Sequence, residues 1–264
     1  MPPNFETLLI ETLAPHVQLV MLNRSEVSNA FNTQMAKDLI TLFEGFSLDT
    51  GDVRALVLTG SGSRAFCAGG DLKERNGMSD AAWGAQHLLY EPMVRAVLGC
   101  PVPTIGAVNG AAYGGGCELV AALDFCYAAE TAKFAQTEVK IGIIPGAGGT
   151  QTLARAVGER RAKELILSGT PFTAAQALEW GLLNAIYPQD DLLPATVETA
   201  ERIAANAPIA TRQAKQAIHT GLQLGLADGL AFEIEAYYRT IPTADRREGV
   251  AAFNEKRKPK FEGR

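Results

Sequence analysis

Three glycine-rich stretches limit what this chain can fold into: FCAGGDLKE at 66–74, NGAAYGGGCE at 109–118 and IIPGAGGTQ at 143–151. Glycine adopts dihedrals closed to other residues and lets the backbone approach a ligand closely. None of the three is a nucleotide loop. No Gly-Lys-Ser/Thr follows the glycines, as a P-loop requires. None is a G-x-G-x-x-G followed, about 20 residues on, by a ribose-binding acid at a strand end. No G-x-S-x-G occurs, so the nucleophile elbow of serine hydrolases is excluded as well. The pattern that fits is a pair of glycine turns, each ending a strand, that aim two backbone N–H groups at one point. That is the geometry of an oxyanion hole. A helix opening at GGGCELVAAL adds the positive end of its dipole.

Two glutamates, Glu118 and Glu138, stand near these turns, twenty residues apart. Paired carboxylates suit chemistry in which one group takes a proton from water while the other gives one to carbon. Asp124, between them, reads as a strand-end or capping residue. The three histidines, His16, His87 and His219, are scattered, and no structural or catalytic metal is expected. The four cysteines, at 67, 100, 117 and 126, form no C-x-x-C and sit in apolar or glycine-rich surroundings. They read as buried, reduced thiols of a cytoplasmic protein.

The first half alternates strand-like and helix-like patterns. FETLLIE and HVQLVML read as neighbouring strands with a short turn around Ala14-Pro15. In NTQMAKDLITLFEGF, apolar residues at 35, 39, 42, 43 and 46 define one helical face, with Asn32 as cap. VRALVLTG, VPTIGAV, DFCYAAE and AKFAQ read as strands, and a helix is expected over 82–98. After about residue 147 the pattern turns helical. The chain thus reads as an α/β core, a β/α spiral or layered arrangement, followed by a helical C-terminal third. At 264 residues with a net charge of −5 and no basic half, nucleic acid and anionic membranes are poor partners. No apolar run reaches about 18 residues, so no membrane span is expected. MPPNFETLLIETLAP lacks the basic-then-apolar pattern of a secretory signal.

These residues resemble the crotonase, or enoyl-CoA hydratase, superfamily. The resemblance rests on FCAGGDLKE, PTIGAVNGAAYGGGCELVAALDF, FAQTEVKIGIIPGAGGTQTLAR and ADRREGVAAFNEKRKPKF, in order and spaced over nearly the whole chain. It implies a ClpP-like spiral of ββα units over 1–195 and a C-terminal helical trimerisation region over 196–264. It implies a homo-oligomer, a trimer or dimer of trimers. It casts Gly70 and Gly115 as the N–H donors to an acyl thioester carbonyl. Glu118 becomes the group that activates water, and Glu138 the group that exchanges the proton at C2. No metal or redox cofactor is implied, since coenzyme A belongs to the substrate. CoA contacts are implied for Arg24, for the backbone of Glu26, Val27 and Ser28, for Ala68, Asp71 and Leu72, and for Phe253 and Lys256. The segment NRSEVSNA lacks the lysine usual after Asn-Arg. Tyr113 stands where leucine is common, which suggests that it marks the acyl pocket. Thr137 replaces a frequent proline.

Both acids favour a hydratase over a 3,2-enoyl-CoA isomerase or a non-catalytic, RNA-binding member. FCAGGDLKER and the C-terminal segment look closest to the methylglutaconyl-CoA hydratase branch, with a related activity on isohexenylglutaconyl-CoA. A general short-chain enoyl-CoA hydratase is the alternative. A distal carboxylate on such substrates needs a cationic or amide partner, and Lys73 and Arg75 are candidates by position. The segment that matches an RNA-binding helix holds Lys37 and Arg54 against Asp38, Glu44, Asp49 and Asp52. That balance is wrong for phosphate binding.

Overall fold

The structure, a computed structural model, describes residues 5–264. Residues 1–4, the start of the stretch read for a secretory signal, lie outside the described residues. The chain opens with an antiparallel pair, β1 (Leu8–Ala14) and β2 (Val17–Leu22), then α1 (Thr33–Leu48). Asn32 caps α1, its side chain accepting the Met35 N–H at 2.8 Å. The face expected from the sequence, Met35, Leu39, Leu42, Phe43 and Phe46, is buried.

From there the chain winds between two sheets. β3 (Ala55–Gly60) joins the larger sheet and β4 (Ala65–Cys67) the smaller. Then come α2 (Leu72–Arg75), α3 (Asp80–His87) and α4 (Tyr90–Leu98). β5 (Thr104–Val108) returns to the larger sheet, β6 (Ala111–Tyr113) to the smaller, and α5 (Gly115–Ala122) follows. The third turn is β7 (Phe125–Ala129), β8 (Lys133–Ala135), α6 (Gly149–Val157) and α7 (Glu159–Ser168). β9 (Phe172–Thr173), α8 (Ala174–Glu179) and β10 (Ala185–Tyr187) complete the sheets. The larger runs β1-β2-β3-β5-β7-β10, parallel from β2 onward; the smaller runs β4-β6-β8-β9, with only β8 and β9 antiparallel. This is the ββα spiral of the crotonase fold.

Successive strand residues face opposite ways, and here both faces are covered. Leu56 and Leu58 join the core under α1 and α4. Ala55 and Val57 join a second core, closed by Leu192, Ala200 and Ala204 of α9 (Gln189–Ala204). The expected division at 195/196 therefore falls inside a helix that packs on the sheet. Beyond α9 lie α10 (Pro208–Gly221), α11 (Leu226–Thr240) and α12 (Ala244–Asn254). α10 and α11 pack on each other and leave Ile218, Leu222, Leu226, Leu230 and Ile234 exposed. No helix among the described residues is long and apolar enough to cross a membrane.

Two sequence readings change. The helix expected over 82–98 is two helices, broken at Leu88 and Leu89. Pro92 lacks the N–H that would bond to Leu88, and its ring crowds the Leu88 carbonyl. β9 and β10 are short strands within a stretch whose composition reads as helix and loop.

The seat of α5 depends on Gly116. A Cβ there would stand 2.1 Å from the Cys67 carbonyl oxygen at the end of β4. Gly116→Ala is expected to destabilise by on the order of 3 kcal/mol through overpacking against fixed backbone. Gly45→Ala, exposed in α1 with nothing within 4 Å of its Cβ position, is expected to be neutral or stabilising by about 0.5–1 kcal/mol. Denaturation midpoints of the two variants check the contrast; an unperturbed Gly116→Ala would show the contact to be slack.

Candidate active site

Three parallel strands of the smaller sheet, β4, β6 and β8, end on one edge, and each feeds a turn. β4 runs into Ala68-Gly69-Gly70, β6 into Gly114-Gly115, and β8 into Gln136-Thr137-Glu138. The first two turns touch. Gly69, at φ +90°, would carry a Cβ 2.8 Å from the Tyr113 carbonyl oxygen and 3.1 Å from the Gly115 nitrogen. Only glycine permits both the positive φ and this approach.

The N–H groups of this pair are left free by the backbone pattern. Phe31 pairs with the first turn in parallel fashion: its N–H donates to Gly69 O and its carbonyl accepts the Asp71 N–H, each at 2.7 Å. That ladder uses residues 69 and 71, so the N–H of Gly70 points the other way. Gly115 is the first residue of α5, and the N–H groups of a first helical turn have no partner in their own helix. Gly70 and Gly115 both line a cavity of ≈ 100 Å³.

Glu118 and Glu138 line the same cavity, together with Thr137 and the apolar Ile141, Ile143 and Ile144. Glu118 lies in the first turn of α5 and is 3% exposed. Its Oε1 accepts the N–H groups of Ala147 and Gly149, each at 2.8 Å. Burial pushes its carboxyl up to about 7; the Gly149 and Ala147 donors hold it down and the Glu138 charge pushes it further up. Burial also raises the Glu138 carboxyl. With its amide nitrogen turned toward Glu138, buried Gln136 donates to Oε2 at 3.1 Å and Oε1 at 3.2 Å. The arrangement holds two buried carboxylates, both raised by burial, beside a pair of N–H donors, as acid–base work on a polarised carbonyl compound needs. Among the described residues, no three His, Cys, Asp or Glu side chains come together in a way that could hold a metal ion.

The residues expected to meet CoA divide into four groups. Ala68 and Leu72 line the cavity. The short 3-10 turn Ser25–Val27, with Glu26, leads to Ser28, whose carbonyl accepts the Ala68 N–H at 3.0 Å, so this strip borders the first glycine turn. Arg24 and Asp71 are bound to each other at 3.0 Å. Asp71 also caps α2 through the Lys73 and Glu74 N–H groups. Burial works to raise its carboxyl, yet the Glu74 N–H, Arg24 and the Lys73 N–H hold it below its ordinary value. Phe253 and Lys256 are exposed at the end of α12 and do not line the cavity of their own chain.

Sequence reasoning missed Gln136, whose only signal was its place two residues before Glu138. It flagged the third glycine stretch without a role; that stretch supplies the Glu118 donors. Tyr113, expected to mark the acyl pocket, does not line this cavity. Asp124 accepts the N–H of Thr104 at 2.7 Å and pairs with Lys215, the strand-end role expected of it. The four cysteines are free and buried. A larger cavity, ≈ 820 Å³, lies among α5, α6 and α10 and contains neither glutamate.

The raised Glu118 carboxyl predicts a pH signature. The folded chain keeps a proton that the unfolded chain releases between its ordinary value of 4.5 and about 7. Stability from this group is complete below pH 4.5 and is lost as pH rises through 7, by on the order of 3 kcal/mol. Glu118→Gln keeps an oxygen for the two N–H donors and does not ionise. The wild-type denaturation midpoint is therefore expected to fall relative to Glu118→Gln between pH 5 and 8. Parallel curves would mean that the carboxyl is solvated.

Comparison with known proteins gives the family. The family model described as enoyl-CoA hydratase/isomerase matches residues 14–264. The mitochondrial enoyl-CoA hydratase of Pongo abelii is 40% identical over 261 residues, covering 98% of this chain and 88% of that protein. A Rhizobium meliloti (strain 1021) protein named "Probable enoyl-CoA hydratase" is 41% identical over 268 residues, 99% of this chain and 100% of that one. The crystal structure of enoyl-CoA hydratase from Bacillus anthracis superposes with a TM-score of 0.95 at 42% identity, covering 98% of this chain and 100% of that chain. The chain belongs to the enoyl-CoA hydratase/isomerase family, within the crotonase superfamily.

Proposed function

We propose that this hydratase-type enzyme adds water reversibly across the double bond of a 2-enoyl-CoA. The observation that carries the reading is the pair of buried glutamates beside two free N–H groups. Gly70 and Gly115 would hold the thioester carbonyl and stabilise its enolate-like charge. Glu118, with two backbone donors favouring its ionised form, takes the proton from water as the oxygen attacks C3. Glu138, whose carboxyl burial also raises, gives its proton to C2. Proton exchange between the two acids resets the site. The reaction needs no cofactor beyond the CoA that the substrate carries.

Two finer parts belong to the same reading. The acyl chain is short, because the cavity beside the two glycines is small, ≈ 100 Å³. A 3-methylglutaconyl thioester suits that size better than an isohexenylglutaconyl one, and a general short-chain substrate fits it equally. The working form is a homo-oligomer. The exposed apolar residues of α10 and α11 support it, and it would let Phe253 and Lys256 meet the CoA of a neighbouring subunit.

Loss of absorbance at the enoyl thioester band tests the reaction, with crotonyl-, 3-methylglutaconyl- and isohexenylglutaconyl-CoA. Glu118→Gln and Glu138→Gln are each expected to lose at least about 100-fold in kcat/KM. Wild-type kcat/KM is expected to rise with pH through about 7 as Glu118 ionises. Variants as active as wild type, or a product with a shifted double bond and no hydroxyl, would sink the hydratase reading.

A further inference from the structure

The α2–α4 wall of the active-site cavity carries a charge that the chain itself does not neutralise. Arg75, at the end of α2, is 7% exposed. Its Nε donates to Gln86 Oε1 at 2.7 Å. Its guanidinium lies 4.3 Å from the Trp83 ring centre and 5.0 Å from that of Tyr90. Its Nη2 is buried without a hydrogen-bond partner, and so is the Tyr90 Oη. Among the described residues, no carboxylate forms an ion pair with Arg75. The adjacent Glu74 is committed elsewhere: it accepts the Thr33 N–H at 3.0 and 3.2 Å and Gln86 Nε2 at 2.7 Å.

A guanidinium stays charged under all conditions of interest, and a buried charge is costly unless paired. This one faces the chemistry. Arg75, His87 and Tyr90 line the cavity that also holds Gly70, Gly115, Glu118 and Glu138. Arg75 Nη1 lies 3.5 Å from the point where a Cβ on Gly70 would stand. A short chain whose thioester is seated between Gly70 and Gly115 therefore begins beside this cation. Lys73, the other cation considered from the sequence, is exposed and does not line the cavity.

We infer that Arg75 and Tyr90 form a recognition site for a carboxylate carried by a short acyl chain, and that Arg75 selects such chains over purely apolar ones. The inference rests on the hydratase reading for its substrate class. Discrimination works in both directions. A carboxylate brought against the guanidinium supplies the counter-charge it lacks and draws out the Nη2 donor and the Tyr90 hydroxyl, which are closed to solvent. An apolar chain excludes solvent from the guanidinium and leaves it unpaired.

The test compares kcat/KM for 3-methylglutaconyl-CoA and crotonyl-CoA in wild type, Arg75→Met and Tyr90→Phe. Wild type is expected to prefer the carboxylated thioester. Arg75→Met is expected to lower the ratio by about 30-fold or more, and Tyr90→Phe by about 3- to 10-fold. If Arg75 only clips α2 to α3 and α4, both substrates suffer alike; an unchanged ratio overturns the inference. If Arg75→Met does not fold, calorimetric binding of glutaryl-CoA and butyryl-CoA to the wild type decides. At least about 10-fold tighter binding of glutaryl-CoA supports the site, and equal or weaker binding overturns it. A wild type that hydrates neither thioester overturns the hydratase reading instead, and the binding comparison still judges the carboxylate site.

Discussion

The active site depends on one backbone contact: the first turn of α5 pressed against the end of β4. Gly116 lies so close to the Cys67 carbonyl that no side chain fits between them. Gly69 does the same against Tyr113 and Gly115. The two contacts fix the start of a helix beside the end of a neighbouring strand. From that one placement, the N–H of Gly115 comes beside that of Gly70, and Glu118, one turn in, enters the same cavity. Helix and strand ends are rigid, so the donor pair is set before any substrate arrives. Preorganisation of this kind gives an oxyanion hole its effect.

The two carboxylates show the same burial acting on like groups held by different donors. Both are buried, and burial raises both. Glu118 differs because the third glycine stretch turns two backbone N–H groups onto one of its oxygens. Those donors favour the ionised form and offset part of the burial cost. Glu138 is held by its own backbone N–H and by the side-chain amide of Gln136. At both groups burial outweighs the donors, and the net shift is upward.

Much of this was legible in the sequence because it is local. Glycine clusters announce close approach, and a 3.6-residue period with an asparagine before it announces α1 and its cap. The order of strand and turn then predicts which turns share an edge. What was not legible depended on contacts between distant segments. Gln136 acquires its role only when β8 lies beside β6. Arg24 and Asp71 resemble ligand-binding residues by position, yet the fold brings them together and they satisfy each other. Tyr113 stands where leucine is common in the family it resembles, but the turn at Gly69 meets its carbonyl, which any residue supplies. The break between α3 and α4 was readable in principle, since Pro92 forbids a continuous helix, but amphipathic periodicity on both sides masked it.

Chemistry and selectivity are attached to the scaffold in different ways, and this bears on how a substrate preference can arise. Gly70, Gly115, Glu118 and Glu138 are held by strand ends and helix starts whose hydrogen bonds are backbone bonds. The wall of α2, α3 and α4 is instead joined to the body through side chains: Gln86 to Thr33, Glu74 and Arg75, and Glu74 to the start of α1. A substitution of a side chain there changes what the cavity accepts while the backbone bonds that hold the donors and the acids remain. Loop-borne selectivity on a fixed catalytic frame is how one fold serves many substrates. Here the separation is sharper than usual. The stacked guanidinium of Arg75 sits within a residue's reach of an oxyanion donor, yet it is tethered by a different set of bonds. Its charge can therefore be lost or replaced in a relative while the water-handling pair stays intact.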